Sequence, residues 1–287
     1  AFTCVAVPGP VLWRGATPVY VDCERETLGM SADDLKRKIT PRAKAVIIQH
    51  TIGMPAAHLD ALLAVAREHR LTVIEDCAHA LGATYRNRRV GTLGDISFFS
   101  FGRDKVLSSV FGGAIATDDD ALASKLRTRV ETYPYPSWWW IVRQLKHPLI
   151  LSFAKATYGF FGIGKAVLAL ARSLSLISLA VQPTERRGGK PTFLSHRIPN
   201  ALAAIALHQL AKLERYNEHR HQLAHAYRAQ LPPHMQIPAE QPASKPIYLR
   251  FPVFVDDPRA LIAFARARGI ELGDWYRSPI APPGVDL

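Results

Sequence analysis

The amino-acid sequence predicts an α/β fold, with a mostly parallel sheet in a large domain and a smaller α+β domain after it. Over residues 1–120, short β-rich runs alternate with helical patterns, which is typical of βαβ units. The chain has 287 residues, of which 48% are hydrophobic and 21% charged. Such a chain is long and apolar enough to bury a sizeable core, and its composition is that of an ordinary globular protein.

The alternation can be divided into individual elements along the first half of the chain. Ser31 precedes Ala32, Asp33 and Asp34 in a capping-box pattern, which predicts a helix over 32–38. Short apolar runs bounded by turn residues predict strands, and amphipathic runs predict helices. The predicted strands are 18–22, 45–50, 72–76, 95–101 and 112–117, and the other predicted helices are 59–69 and 119–127.

Changes in composition divide the chain into three segments. We expect a large domain over 1–132, an apolar helical insertion over 133–192 and a small C-terminal domain over 193–287. In the small domain the patterns predict a helix over 201–231, a strand over 247–255 and a helix over 258–268. The chain opens on Ala1 instead of Met and closes on Leu287 without a final helix, so we expect both ends to be truncated.

The insertion contains three consecutive tryptophans followed by two apolar helical runs, 149–161 and 166–181. Lys155, Lys165 and Arg172 interrupt these runs before they reach the ~18–20 apolar residues that a spanning helix needs. A transmembrane hairpin is therefore not expected. A subunit interface or a covering helical hairpin is the first interpretation. The second is peripheral membrane contact through 138–181, by a helix in the plane of the membrane with Trp138 to Trp140 at the headgroups.

The net charge limits the classes of ligand that are expected, and the cysteine content limits the expected cellular compartment. The formal net charge is +12, but the basic residues are scattered and form no stripe interleaved with aromatics, so nucleic-acid binding is not expected. Phosphate-bearing substrates, anionic lipid headgroups or a simple contribution to solubility explain the positive surplus more simply. Three cysteines at unrelated spacings argue against a disulfide framework or a zinc site, and no secretory leader is visible. We expect a reducing, cytoplasmic location, with membrane association as an addition.

Two segments carry candidate chemistry at predicted strand ends. Asp76 ends an apolar strand and His79 follows it, while Ser100 ends another strand and Lys105 lies in the turn beyond it. Open α/β sheets bind ligands at the carboxyl ends of their strands. A carboxylate that keeps a pyridine nitrogen protonated and a lysine that condenses with an aldehyde are the pair that pyridoxal-phosphate (PLP) chemistry needs. The alternative is that Asp76 only caps a helix and His79 packs in its first turn.

The same stretches resemble the DegT/DnrJ/StrS family of nucleotide-sugar aminotransferases, which have PLP fold type I. The resemblance implies that Lys105 forms the Schiff base with PLP, Asp76 contacts the pyridine nitrogen, His79 lies at the phenolic oxygen and Ser100 contacts the phosphate. It also implies a homodimer, an amino donor such as glutamate, and a nucleotide-linked keto-sugar as acceptor. The resemblance rests on 15–22, 39–47, 75–83, 91–95, 99–101, Lys105 and 112–113.

Some positions depart from the family pattern. Cys4 stands where the family often has an aromatic residue, Ser195 stands in place of an asparagine, and the family's Gly-Thr turn would precede Ala1. The family includes dehydratases with histidine in place of the lysine, so Lys105 favours transamination. A PLP-dependent sugar dehydratase and a non-catalytic regulatory or membrane-attached binding protein of the same fold remain the alternatives.

Two further motifs are similar to a nucleotide-binding loop and to a metal site. Residues 159–166 match a phosphate-binding P-loop except that Ala166 replaces the serine or threonine that would hold magnesium, and no buried strand precedes them. His219, His221 and His225 have roughly helical spacing, but a solvated helix face explains them better than a metal site. Nucleotide hydrolysis and metal binding are therefore not expected.

Overall fold

The computed structural model describes residues 1–274 apart from residues 26, 180 and 234; the rest of the predicted C-terminal domain, 275–287, lies outside the described residues. The strands are β1 (Ala45–Gln49), β2 (Thr72–Asp76), β3 (Thr84–Tyr85), β4 (Arg88–Arg89), β5 (Ile96–Ser100), β6 (Gly113–Ala116) and β7 (Ser244–Lys245). The helices are α1 (Pro8–Trp13), α2 (Ala32–Lys38), α3 (Leu59–Glu68), α4 (Asp120–Glu131), α5 (Trp138–Ala156), α6 (Ile163–Ser173), α7 (Pro183–Arg186), α8 (Asn200–Leu210), α9 (Leu213–Gln230) and α10 (Pro258–Ala267), with short 3-10 helices at Thr51–Gly53 and Thr192–Leu194.

A four-stranded sheet in the order β1-β2-β5-β6 organises the first half of the chain. The first three strands are parallel and β6 pairs antiparallel with β5, so the predicted mostly parallel sheet is confirmed. The register places Gln49 opposite Asp76, and Asp76 opposite Phe98. The carboxyl ends of the three parallel strands therefore lie together at one edge of the sheet.

The hydrophobic core lies between the sheet and α3. Amphipathic periodicity puts Leu59, Leu62 and Ala66 on one side of α3, where they are fully buried against Ile48 and Val73. A second cluster lies beyond the sheet edge and includes Cys77, Ala80, Val106, Leu213 and Ile247. It joins the turn after β2 to α9 and to the segment that follows β7.

Local sequence signals set the ends of several elements. Ser31 caps α2 by accepting a hydrogen bond from the Asp34 amide, and Asp119 caps α4 by accepting one from the Leu122 amide. The predicted strands over 45–50, 72–76, 95–101 and 112–117 all form; the strand over 72–76 has the predicted bounds and the other three are slightly shorter. The predicted helix over 119–127 extends further, to Glu131.

The predicted strand over 18–22 is wrong, because the described part of the chain shows no ladder there. Pro18 lacks an amide hydrogen, and Val19 is exposed. The Tyr20 carbonyl accepts a hydrogen bond from Lys38 Nζ at 2.7 Å, and the Asp22 amide donates to the Asp34 carboxylate at 2.7 Å. The Tyr20 carbonyl and the Asp22 amide are therefore hydrogen-bonded to side chains of α2 instead of to a neighbouring strand.

The single helix predicted over 201–231 is instead two helices, α8 and α9. The break at Ala211–Lys212 comes just before Leu213, a buried side chain that packs with Ala80 and Ile247. Alanine and leucine favour helix on both sides of the break, so local propensity could not reveal it. Burial of Leu213 in the second cluster is the tertiary contact associated with the change of direction.

The predicted strand over 247–255 is also wrong apart from one bridge, in which Phe254 pairs with Gln236. The Ile247 amide donates to the Gly53 carbonyl at 2.8 Å, and the Arg250 amide donates to the Ile52 carbonyl at 3.4 Å. The segment is therefore bonded to the 3-10 turn after β1 rather than to a strand. Only the short β7, just before it, joins a sheet, pairing with β3.

The insertion forms two helices whose bounds differ from the predicted runs 149–161 and 166–181. Ser137 caps α5 by accepting a hydrogen bond from the Trp140 amide, so this helix begins before the purely apolar run. Gly162, in the left-handed conformation at φ +72°, stands immediately before α6. α5 and α6 pack closely at Gly164, where a Cβ would lie 2.1 Å from the Ala154 carbonyl oxygen. The P-loop-like stretch is thus part of a helical hairpin.

The Glu75 carboxylate of β2 forms hydrogen bonds with residues just after β1 and just before β5. It is fully buried and accepts hydrogen bonds from the amides of Gly91, Leu93 and Gly94 at 2.8, 2.6 and 2.6 Å. His50 Nε2 lies 3.0 Å from it, and His50 Nδ1 accepts from the Ala56 amide at 3.0 Å. Because Nδ1 is an acceptor, Nε2 carries the proton and donates it to Glu75.

Charge-assisted hydrogen bonds make the ionised form of Glu75 the stable one in the folded chain. Burial alone raises the pKa of the Glu75 carboxyl, but the bonds from His50, Gly91 and Gly94 outweigh it, so the pKa falls below its ordinary value. A lowered folded pKa stabilises the protein above the ordinary glutamate pKa of about 4.3, and this stabilisation is lost as the pH falls through the folded pKa.

We expect Glu75→Gln to lower the free energy of unfolding by about 3 kcal/mol at neutral pH, because the buried amides lose a charged acceptor and one meets an NH₂ group. Urea unfolding followed by circular dichroism measures the difference. The loss should shrink as the pH falls below about 4.3, because the unfolded chain then takes up a proton that the folded chain does not, and the contribution of the ionised carboxylate to stability declines. Glu68→Gln, on the exposed side of α3, is the matched control. Equal stability of the two variants would contradict this account.

Candidate active site

Lys105 lies on a loop between β5 and β6 that is closed at its base by backbone hydrogen bonds. The Phe101 amide donates to the Gly112 carbonyl at 2.9 Å, and the Ser109 amide donates to the Phe101 carbonyl at 3.0 Å. At Gly113 the chain passes so near β5 that a Cβ would lie 2.6 Å from the Phe99 carbonyl oxygen. Only glycine allows this approach, which holds the ends of the lysine loop together.

The amine of Lys105 contacts the ring of His79. Lys105 Nζ lies 2.9 Å from His79 Nε2, and His79 Nδ1 accepts a hydrogen bond from the Ile52 amide at 3.3 Å. Since Nδ1 accepts, a neutral ring carries its proton on Nε2 and directs it at Lys105.

Burial keeps the His79 imidazole neutral. Its side chain is buried, and desolvation, followed by the positive charge of Lys105, lowers the pKa of His79 to about 4 from 6.5. At neutral pH the ring is therefore a hydrogen-bond donor at Nε2 without a positive charge. A group of this kind can donate to a phenolic oxygen or an amine without repelling a neighbouring cation.

Asp76 ends β2 in a buried position. One carboxylate oxygen accepts a hydrogen bond from the Ala78 amide at 3.0 Å, and the side chain is 4% exposed. Burial raises the pKa of Asp76, and the Ala78 hydrogen bond and the charge of Lys105 offset this only in part. A buried carboxylate with a raised pKa would be stabilised by a protonated ring nitrogen, so Asp76 suits the pyridine of PLP.

A cavity of about 880 Å³ brings several of the predicted residues together. Lys105, His79 and Ser100 line it, whereas Asp76 is buried and does not belong to the described lining. Ser100 ends β5, and its hydroxyl accepts a hydrogen bond from the Gly102 amide at 3.3 Å. The volume is ample for a pyridine ring with its phosphate and for part of a substrate, so the residues present fit the cofactor.

The two departures from the family pattern lie at or beside this cavity. Cys4 lines it with its neighbours from Thr3 to Ala6. Ser195 follows a short 3-10 helix and lies between Leu194 and His196, which both line the cavity. Cys4 is therefore part of the cavity wall, whereas Ser195 only lies between two residues of that wall.

Sequence reasoning missed Arg103. Its guanidinium lies over the ring of Phe111, 4.9 Å from the centroid, and donates to Gln144 Oε1 at 3.3 Å and to the carbonyl and hydroxyl of Ser178. Burial and the nearby Arg143 charge lower the pKa of Arg103 to about 10. The position of Arg103 between Ser100 and Lys105 was the one indication in the sequence that it belongs to the site. Its hydrogen-bond partners, Gln144 and Ser178, lie 41 and 75 residues away, so the sequence could not predict them.

The insertion and the C-terminal segment complete the wall of the cavity. Trp140 of α5 lines it and contacts the ring of Phe111 at 5.4 Å between centroids. Arg186 and Arg197 also line it, and Arg197 is held by the carbonyls of Val130 and Glu131. The wall is therefore rich in guanidinium groups, which suit an anionic ligand.

The grouping of His50, Glu75 and Cys77 resembles a metal site, with ligand atoms within 4.8 Å of one another. Hydrogen bonds already occupy both nitrogens of His50 and both oxygens of Glu75. The arrangement is therefore a structural hydrogen-bond network. His221, one of the three histidines on α9, is in edge contact with the Tyr248 ring at 6.3 Å.

Solved sugar aminotransferases, among them CalS13 of Micromonospora echinospora, share the fold of this chain. DesV of S. venezuelae, solved with a ketimine intermediate, superposes with a TM-score of 0.68 at 26% identity over 94% of this chain and 60% of that one. DesI, solved with its TDP-sugar product, gives 0.67 at 27% identity over 94% and 58%. The chain belongs to the DegT/DnrJ/EryC1/StrS aminotransferase family, whose sequence model matches residues 1–133 and 165–284.

Two curated relatives are similar over the N-terminal part. GDP-perosamine synthase of Caulobacter vibrioides is 45% identical over 127 residues, which are 44% of this chain and 34% of the relative. Spore coat polysaccharide biosynthesis protein SpsC of Bacillus subtilis is 44% identical over 117 residues, 41% and 30% of the two chains. The matched segments thus span about a third of these relatives. Within the described part of the chain, no helix combines the length and apolarity needed to cross a membrane.

The lowered pKa of His79 predicts an acid-dependent loss of stability in the cofactor-free chain. Because the folded pKa is about 4 and the ordinary value is 6.5, protonation favours the unfolded chain. Stability is complete above pH 6.5 and should fall by up to roughly 3 kcal/mol as the pH drops to 4.

We expect His79→Gln to reduce this decline, since glutamine does not titrate, whereas His219→Gln, at an exposed position, should retain it. Denaturant unfolding at a series of pH values measures both variants. An unchanged pH dependence in His79→Gln would contradict the assignment of a neutral, buried imidazole.

Proposed function

We propose that this chain carries the cofactor site of a PLP-dependent aminotransferase. The enzyme would transfer an amino group, with glutamate as donor, to a nucleotide-linked keto-sugar in the biosynthesis of cell-surface polysaccharides or secondary metabolites. The observation that carries the proposal is the 2.9 Å contact between Lys105 Nζ and His79 Nε2 in a cavity near the buried Asp76. Relatives named for perosamine and spore-coat polysaccharide, and a neighbour solved with a TDP-sugar, support the substrate class.

Each residue of the site would have a distinct task. When bound, PLP supplies an electron sink for the carbon that loses or gains a proton. Lys105 Nζ would hold the cofactor and, once displaced by the substrate amine, carry the proton to and from that carbon. The Asp76 carboxylate would hold the proton of the ring nitrogen. His79 Nε2–H would donate to the phenolic oxygen, and the Ser100 hydroxyl would donate to the phosphate.

The charge of the cavity wall supports an anionic acceptor substrate. Arg103, Arg186 and Arg197 line the same cavity as Lys105, and the chain carries a net charge of +12. One guanidinium group can donate two parallel hydrogen bonds to the oxygens of a phosphate, which makes these arginines suited to a nucleoside diphosphate. The presence of Lys105 favours amino transfer over dehydration, because the lysine is the group that exchanges with an incoming amine.

We further propose that the chain acts as a homodimer. α8 begins in the cavity wall, where Pro199 and Leu202 line the cavity, and it exposes Leu207 and Leu210 to solvent. A second copy that covered these leucines would lie beside the site and complete its enclosure. Sedimentation velocity on the PLP-loaded protein measures this assembly directly.

A cytoplasmic location is part of the proposal. Cys4, Cys23 and Cys77 are free thiols, and disulfide bonds are rare in the reducing cytoplasm. Burial raises the pKa of the Cys77 thiol, which keeps it unreactive in the core. No oxidising compartment is needed to explain these cysteines.

We expect Lys105→Ala to abolish both the visible absorbance band of lysine-bound PLP and amino transfer from glutamate, since no other group supplies the amine. Absorbance after reconstitution and a coupled assay for 2-oxoglutarate measure the two effects. Lys125→Ala, on the exposed face of α4, is the matched control and should behave as the parent chain. An unchanged absorbance band in Lys105→Ala would overturn the assignment.

Asp76→Asn separates cofactor binding from catalysis. An amide cannot keep the ring nitrogen protonated, so we expect the absorbance band to persist while kcat falls by about a hundredfold or more. Single-turnover spectra with glutamate measure the rate. Asp118→Asn, at an exposed position that is not part of the cavity lining, is the control. A kcat within twofold of the parent would remove Asp76 from the proposed mechanism.

A further inference from the structure

The hairpin formed by α5 and α6, residues 138–173, exposes an unusual amount of apolar surface. Trp139 is 78% exposed, Leu149 71% and Phe161, at the tip between the helices, 92%. Exposed large apolar patches on a soluble domain mark interaction sites. The exposed large apolar side chains of the hairpin are Trp138, Trp139, Leu149, Phe153, Tyr158, Phe160, Phe161, Ile163 and Leu170.

α5 has its polar side turned inward. Gln144 is fully buried and bonded to the Ser178 hydroxyl at 2.6 Å, and Arg143 donates to the Ile177 carbonyl at 2.9 Å. Trp138, Leu149 and Phe153 fall on one face at 3.6 residues per turn, and all are exposed. A water-soluble surface helix has the opposite arrangement, so the outer face of α5 is suited to an apolar environment.

The charge of the hairpin has a single sign. Between Glu131 and Glu185 the sequence contains no aspartate or glutamate. The basic residues within the hairpin are Arg143, Lys146, Lys155, Lys165 and Arg172, and all but Arg143 are exposed. Apolar groups mixed with basic groups, with tryptophan at one end, are the composition of helices that lie in the interface of an anionic membrane.

The hairpin is also the part of the chain that the family model does not cover in full. The match breaks off after residue 133 and resumes at 165, so α5 and the tip with Phe160 and Phe161 lie outside it. Residues 165–173 of α6 lie within the match, so the gap falls on α5, the tip and the first two residues of α6.

We propose that the α5–α6 hairpin docks the enzyme onto the surface of an anionic lipid bilayer, with the helices lying in the plane of the membrane. Phe160 and Phe161 enter the boundary between headgroups and acyl chains, and the lysines contact lipid phosphates. A second copy of the chain fits the exposed surface of the hairpin less well than an anionic membrane does. A symmetric contact between two hairpins would bring basic residues together with no carboxylate to pair them.

Binding of the PLP-loaded protein to vesicles tests the proposal. We expect co-sedimentation with phosphatidylcholine vesicles containing about one-third phosphatidylglycerol, and at least about tenfold weaker binding to pure phosphatidylcholine. Binding should also weaken as salt is raised, because exposed charges are screened. Equal binding to both vesicle types, or none to either, would overturn the proposal.

Variants locate the contact. We expect the double variant Phe160→Ser, Phe161→Ser to bind the anionic vesicles at least about tenfold more weakly, because two exposed aromatic rings lose their apolar environment. Lys155→Glu with Lys165→Glu should have an effect of similar size through charge. Phe264→Ser, an exposed phenylalanine on α10, is the matched control and should bind as the parent does.

Amino transfer and oligomeric state in solution separate this proposal from the others. The tip variant should retain the kcat of the parent with soluble substrate, because neither phenylalanine lines the cavity. If the tip variant instead lost oligomeric assembly in sedimentation velocity while vesicle binding was unchanged, the surface would be a subunit interface and the membrane proposal would be wrong.

Discussion

The buried Glu75 carboxylate is the interaction on which the arrangement of the sheet edge depends. It accepts hydrogen bonds from His50 after β1 and from three amides in the turn that leads into β5. One ionised group on β2 thereby links the carboxyl end of β1 to the turn that leads into the amino end of β5. A buried charge is tolerated only because each of its oxygens has donors, which also explains why the turn over 91–94 approaches the strand so closely.

The candidate active site lies on the other side of the same strand end. Asp76 follows Glu75 directly, and successive side chains of a strand point to opposite faces, so the structural carboxylate and the proposed cofactor-binding carboxylate are neighbours with separate environments. His79 follows in the next turn, where the Ile52 amide orients its ring toward Lys105. The protonation states of Asp76 and His79 are thus set by burial and by the backbone that Glu75 holds in place.

The insertion connects this site to the outer surface. Its inner side contributes Gln144 and Ser178 to the environment of Arg103, and Trp140 to the cavity wall. Its outer side presents aromatic and basic residues to solvent. The polar side chains on the inner side are hydrogen-bonded, and apolar side chains occupy the outer side. The single helix α5 therefore contributes both to the cavity wall and to the proposed membrane surface.

The sequence by itself determined the parallel strands, the cap of α2 and the positions of Asp76 and Ser100 at the ends of strands, because these depend on short-range periodicity and on residues near strand ends. Tertiary structure decided the rest. The partners of Glu75 lie 16 to 25 residues away, and those of Arg103 lie 41 and 75 away. The segments over 18–22 and 247–255 have strand-like composition, but their backbone groups bond to side chains of α2 and to the turn after β1. Local propensity carries no information about which distant group will compete for a backbone hydrogen bond, and that competition settled these elements.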